Sequence, residues 1–336
     1  MNKVCFGVLF LVLWASSLGA AQARFIVNDE AYSDKVSRAG ERLIHEHKVL
    51  SLEILRQQVT TRAAPVELLP ASHEKLEPTE LYDRLLQSTL AVGTVYKCPD
   101  CGGWHFSGSS GFVLNERGIV CTCCHVLLEE DDKISESYLV ASDSAGHVFP
   151  VKSVLSADTE ADTCLLQIEA SGLKALPLRS GSRPGEGVYC LSNPGGYFFM
   201  FSEGMIARLN ERSSSEPDEH GRVTGAPGRP VLLLNITAEF APGSSGAAVV
   251  DTYGNVVGQV ASIADAGESP DGDQNKAASP SVPIRFCTAS EEILRLTNPS
   301  LVKELRPGAL KPAKKSKPRK AATSRVCPKK QAGAPQ

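Results

Sequence analysis

The chain has 336 residues, 42% of them apolar and 22% charged, with a formal net charge of −3. That length allows one large or two small domains with a real core, and the composition is ordinary for a soluble globular protein. It excludes a protein built of repeated membrane spans, because after the first residues no stretch is apolar enough to cross a bilayer.

The N-terminus reads as an export signal. Met1-Asn2-Lys3 carries one positive charge, residues 4–18 are almost wholly apolar, and Ala21-Gln22-Ala23 supplies a small-residue cleavage site. Cleavage is expected after Ala23, giving an exported protein, periplasmic or secreted, with no remaining transmembrane span. Residues 31–61 read as helical, with Leu43, Ile44, Leu50, Ile54 and Leu55 near helical spacing. Residues 64–78 read as a linker with three prolines, and a short helix follows over 78–86. Residues 24–78 are therefore expected to form a helical extension and linker.

From Ser88 the pattern changes. Short apolar runs alternate with turns about every ten residues, as in Leu90-Ala91-Val92, Gly111-Phe112-Val113-Leu114, Cys164-Leu165-Leu166 and Val256-Val257. The 28 glycines and 21 prolines supply the turns. This spacing argues for an all-β sandwich or pair of barrels rather than βαβ units. Residues 211–230 and 265–280 read as long polar loops, of a length that is more often functional than idle. A closing helix is expected over 290–296. The tail, 299–336, is basic: from Arg306 onward it holds ten Lys or Arg and no acid. It cannot bury a core and is expected to be disordered, a solvated tail capable of polyanion contact but of no specific nucleic-acid recognition.

One constellation carries chemistry. In Pro242-Gly243-Ser244-Ser245-Gly246 a Gly-bounded turn presents a serine and then enters an apolar strand. Such a turn can aim backbone amides at one point, as an oxyanion hole requires. The expected oxyanion donors are Gly243, Ser244 and Ser245. A serine hydroxyl is a poor nucleophile without a base. Among seven histidines, His125 directly follows the apolar run 118–123 and can be held rigidly there. A carboxylate must then orient the imidazole. Asp162 stands immediately before the run Thr163-Cys164-Leu165-Leu166, with Asp158 as its rival. The chain order is His, Asp, Ser.

These residues and their flanks resemble the trypsin-like serine proteases, closest to the HtrA/Deg branch. The resemblance lies in Ser109-Ser110-Gly111, in Thr122-Cys123-Cys124-His125-Val126, in Asp162-Thr163-Cys164-Leu165-Leu166, in Asn193-Pro194-Gly195, in Ser202-Glu203-Gly204 and in Pro242-Gly243-Ser244-Ser245-Gly246. It runs over roughly residues 80–295. It implies two six-stranded antiparallel barrels (chymotrypsin-like), about 88–175 and 180–290 within a protease domain at 79–298. It also implies a serine endopeptidase using His125, Asp162 and Ser245 without a cofactor, acting on protein or peptide substrates, with oligomers possible. The alternative is a catalytically silent protease fold that binds peptides or a partner. Two departures stand out. Gly246 is followed by Ala247 rather than a second glycine, and Glu239 stands six positions before the serine. In trypsin-like enzymes that position floors the specificity pocket, so Glu239 there would favour a basic substrate side chain. Only about 46 residues follow Ser290, too few for the PDZ domain common in this family.

Ten cysteines are many, and nine remain after removal of Cys5. Cys98-Pro99-Asp100-Cys101 followed by Cys121-Thr122-Cys123-Cys124 has zinc-like spacing. Cys121 and Cys124 lie along a strand, however, where positions i and i+3 face opposite sides. A disulfide within Cys98–Cys101, or from that loop to Cys123 or Cys124, or else free structural thiols, is therefore expected rather than a metal. Cys164 and Cys190 are expected as buried small hydrophobes.

Overall fold

The computed structural model describes residues 24–300, apart from 61, 130, 132, 214–228, 266–281 and 299. The expected signal peptide, the basic tail beyond Ser300 and most of both polar loops lie outside the described residues.

The apolar runs become strands, several of them buried on both faces: Leu90 and Val92 pack in one core cluster, and Ala91 and Val95 of the same run pack in another. The first six are β1 (Thr89–Lys97), β2 (Trp104–Asn115), β3 (Ile119–Thr122), β4 (Ser137–Ser142), β5 (Val148–Asp158) and β6 (Thr163–Ile168). They close in the order β1-β2-β3-β6-β5-β4. The second six are β7 (Gly187–Ser192), β8 (Met200–Ser213), β9 (Pro230–Ile236), β10 (Ala248–Asp251), β11 (Val256–Asp265) and β12 (Pro283–Ala289). They close in the order β10-β11-β12-β9-β8-β7. All pairings within the two barrels are antiparallel. Closure leaves no free sheet edge, and this is the chymotrypsin-like architecture that the sequence resemblance implies.

Each barrel has its own apolar filling. Leu90, Val92, Val113, Val120, Leu139 and Leu166 fill the first. Val188, Cys190, Ile206, Leu234, Val249 and Val257 fill the second. Each such side chain contributes roughly 1.5–3 kcal/mol by leaving water.

The helical extension differs from its expected form. It is two helices, α1 (Asp29–His45) and α2 (Leu52–Arg56), not one. The break has a local cause. His47 takes a left-handed conformation at φ 54°, and Ser51 caps α2 by accepting the Ile54 N–H. Helix α1 docks through Tyr32, Val36 and Ile44, and the Tyr32 ring meets Phe198 at 4.4 Å and Phe199 at 5.5 Å. Helix α3 (Pro78–Leu86) precedes the first barrel, and α5 (Ser290–Thr297) closes the second. No helix among the described residues is long and apolar enough to cross a membrane.

The disulfide expectation requires correction. The eight described cysteines are all free. Cys98 and Cys101 sit in the turn between β1 and β2, whereas Cys121, Cys123 and Cys124 are buried in and just after β3. The Sγ of Cys124 faces the carbonyls of Asp158 and Thr163, so it is not aimed at the hairpin turn. Neither the loop-to-barrel disulfide nor a four-cysteine zinc site is formed. Cys164 and Cys190 are buried in their strands.

Candidate active site

Three connections between strands deliver the candidate residues to one cleft. His125 opens α4 (His125–Leu128), a single turn just after β3. Asp162 ends the tight turn between β5 and β6. Ser245 lies in the turn that leads into β10. His125, Gly243 and Ser245 line an open cleft of about 890 Å³, with Tyr96, Ser107 and Ser109 on its wall.

The histidine is held twice by one carboxylate. Its backbone N–H donates to Asp162 Oδ1 at 2.9 Å, and its Nδ1–H donates to Asp162 Oδ2 at 2.6 Å. The second bond fixes the tautomer, leaving Nε2 as the free acceptor. Asp162 itself sits at φ 51°, in the left-handed region that Asp and Asn tolerate best. The hydrogen bond from His125 to this carboxylate raises the imidazole pKa above its ordinary value; partial burial pulls the other way without reversing it. Among the described residues His125 and Ser245 line the same cleft without a hydrogen bond between Ser245 Oγ and the imidazole.

Asp158, the rival carboxylate, is committed elsewhere. Its Oδ1 accepts the N–H groups of Glu160 and Ala161, and its Oδ2 pairs with Arg229. It shapes the turn that presents Asp162.

The serine turn is built from bonds that the sequence does not advertise. Gly243 has φ 94°, and a Cβ there would meet Asn193 O at 2.5 Å. Gly246 has φ 89°, and a Cβ there would meet Ser110 O at 2.2 Å. Only glycine fits either place. Ala247, the departure noted above, lies outside the left-handed region and is buried, so a second glycine is not required. The Ser110 hydroxyl donates to Gly243 O, and the Ser110 N–H donates to Ser245 O. Asn193, fully buried, donates to Ser109 O and Ser110 Oγ and accepts the Phe199 N–H. The Gly195 N–H donates to Pro242 O at 2.7 Å.

Two expectations are corrected here. The Ser244 N–H is spent on Ala241 O, and its hydroxyl is buried against Ser192 Oγ at 3.0 Å. It has no amide to give an oxyanion, which leaves Gly243 and Ser245. Glu239 does not floor a pocket. Its side chain is 86% exposed, with Arg285 4.0 Å away. Its neighbours Ala238 and Phe240 are buried, in the irregular stretch just after β9.

Gln259 and Cys123 form a layer beneath the histidine and aspartate. Gln259 Oε1 accepts from the Cys121 thiol, and its Nε2 donates to Cys123 Sγ at 3.0 Å and to Asp162 O at 3.4 Å. The Cys123 thiol donates to Val260 O. Burial, and then the nearby Asp162 charge, push its pKa up, so it stays a neutral thiol. Its Sγ, a His125 nitrogen and an Asp162 oxygen lie close together, but each is already engaged in these bonds. Gln259 does not stand out in the sequence, being a polar residue within an apolar run; Asn193 falls in the Asn193-Pro194-Gly195 segment of the resemblance, but its hydrogen-bonding role does not show there.

Two closed barrels with a His–Asp pair and a Gly-bounded serine facing one cleft define the class by fold: a chymotrypsin-like double barrel. The trypsin-like peptidase domain family matches residues 109–258. The chain is similar to the serine protease HhoB of Synechocystis, 32% identical over 151 residues, which is 44% of this chain and 33% of that protein. It is similar to the mitochondrial serine protease HTRA2 of Drosophila pseudoobscura pseudoobscura, 29% identical over 154 residues, 45% of this chain and 33% of that protein. The chain thus spans about a third of the length of these curated relatives. Among solved structures, the HtrA-type protease AlgW with a decapeptide aligns over 68% of each chain at 18% identity and a TM-score of 0.48.

Proposed function

We propose that the protein is an exported serine endopeptidase of HtrA/Deg type that cleaves peptide bonds through His125, Asp162 and Ser245. The observation that carries the reading is the doubly bonded His125–Asp162 pair opening onto Ser245 in one cleft. Ser245 Oγ attacks the scissile carbonyl, and His125 Nε2 takes its proton. The Asp162 carboxylate stabilises the imidazolium that forms. The amides of Gly243 and Ser245 face the charge that develops on the carbonyl oxygen. Donors of this kind are worth roughly 10²–10³ in rate each. His125 then returns the proton to the leaving amine, and water, activated by the same imidazole, releases the acyl group. No step needs a cofactor. Extended protein or peptide segments are the substrates such an open cleft accommodates, and the 1–23 segment directs the chain to export.

The test is cleavage of casein by the full-length protein and by its Ser245→Ala variant. Turnover that disappears in the variant supports the proposal. A folded wild type that binds peptides without cutting them favours the silent alternative.

A further inference from the structure

We propose that Cys98, Cys101 and His105 form a zinc site at the tip of the β1–β2 hairpin. One donor atom from each lies within 4.8 Å of the others, and Cys101 Sγ is 3.0 Å from His105 Nε2. Tetrahedral zinc, with bonds near 2.3 Å to sulfur and 2.0–2.1 Å to nitrogen, holds neighbouring donors about 3.3–3.8 Å apart. The cluster therefore needs only small side-chain adjustments to close on the ion. The donor set, two thiolates and an imidazole, suits zinc and excludes hard cations.

The backbone is shaped for the task. The Gly102 N–H donates to Cys98 O, and the Cys98 N–H donates to Gly103 O, both at 2.9 Å. This folds the intervening residues into a tight turn with both sulfurs on one side. Gly102 completes it at φ 68°, in the left-handed region where glycine is at ease. The Gly103 N–H points at Cys101 Sγ from 3.4 Å. The backbone amides of Cys101 and Asp100 face Cys98 Sγ. His105 enters from the other strand, opposite Tyr96 in the register, so the ion would tie the two strands together. Zinc then displaces one proton from each thiol to solvent, with no change of oxidation state. Three protein donors leave the fourth position to water.

The consequence lies nearby. Ser107, Gly108 and Ser109, immediately after His105 on β2, line the candidate catalytic cleft, as does Tyr96 on β1. A metal clamp at the hairpin tip would stiffen this wall. The site itself stands independently of the protease reading.

The test uses the full-length chain carrying Ser245→Ala to prevent self-cleavage, prepared with reductant and zinc, then freed of loose metal by gel filtration. One zinc per chain is expected by elemental analysis. Cobalt replacing it should give the near-ultraviolet charge-transfer band of thiolate ligation. Adding Cys98→Ser or Cys101→Ser should abolish both signals. His105→Ala should weaken binding at least tenfold, and Asp162→Asn should change neither. Circular dichroism checks that each variant folds, as expected for side chains at a hairpin tip. Absence of zinc and of the cobalt band overturns the proposal. So does metal that survives Cys101→Ser or is lost with Asp162→Asn. A Cys98–Cys101 disulfide without zinc in protein isolated without reductant overturns it too.

Discussion

Asp162→Asn is the most informative perturbation of the proposed mechanism. Asparagine tolerates the left-handed backbone at this position, where φ is 51°, so the turn should survive. The carboxylate serves two donors on the same residue, the N–H and the Nδ1–H of His125. An amide cannot serve both. If its oxygen keeps the backbone N–H, its NH2 faces Nδ1 and moves the ring proton to Nε2, where Ser245 needs an acceptor. If it flips, two N–H groups confront each other and the buried amide loses its partner, costing about 1–3 kcal/mol. The first arrangement should prevail, with the wrong tautomer. In the Ser-His-Asp template this change costs about 10⁴ in kcat, or ~5 kcal/mol of transition-state stabilisation. The assay is kcat/KM on a fluorogenic peptide across pH. Wild-type activity should rise with pH through a midpoint above 6.5, because the aspartate raises the His125 pKa. In the variant that midpoint should fall and the plateau should drop by roughly 10³–10⁴. A loss of less than tenfold, with an unmoved midpoint, would refute the assigned role of Asp162.

Three further outcomes follow from the same geometry. Gly243→Ala would place a Cβ 2.5 Å from Asn193 O, so kcat should fall on the order of 10²-fold with KM little changed, as steady-state kinetics would record. Gln259→Ala removes a buried side chain that bonds Cys121, Cys123 and Asp162, and should lower stability by roughly 1–3 kcal/mol in urea titration. The His125 pKa is raised in the folded state, so this residue's contribution to stability is full below its unfolded pKa near 6.5. It should fade as pH rises through the folded value, a slope that Asp162→Asn should flatten in thermal melts.

Much of this fold was legible because barrel strands announce themselves. Runs such as Leu90-Ala91-Val92 are apolar and buried throughout, and turn residues separate them. His125, Asp162 and Ser245 could be proposed from the sequence because each is adjacent to such a run in a fixed order, and the structure joins His125 to Asp162 and sets His125 and Ser245 on one cleft. What escaped were features decided by direction rather than type. Glu239 is exposed while its neighbours Ala238 and Phe240 are buried, and Ser244 loses its amide to a turn bond with Ala241. The break at His47 depends on a single left-handed residue inside an otherwise helical composition. Gln259 carries no local signal, and the roles of Gln259 and Asn193 depend on partners such as Cys121 and Ser109 that lie far away along the chain. Cys98 and Cys101 were read against Cys121 and Cys124 along the chain, whereas the hairpin register brings His105 to them instead.

The central claim is that Ser245 is a nucleophile activated by His125. Intact-mass analysis after treatment with a fluorophosphonate tests it most directly. The expected result is one adduct per chain, mapped to Ser245, formed more slowly in Asp162→Asn and absent in Ser245→Ala. A folded, full-length wild-type chain that stays unlabelled would contradict it.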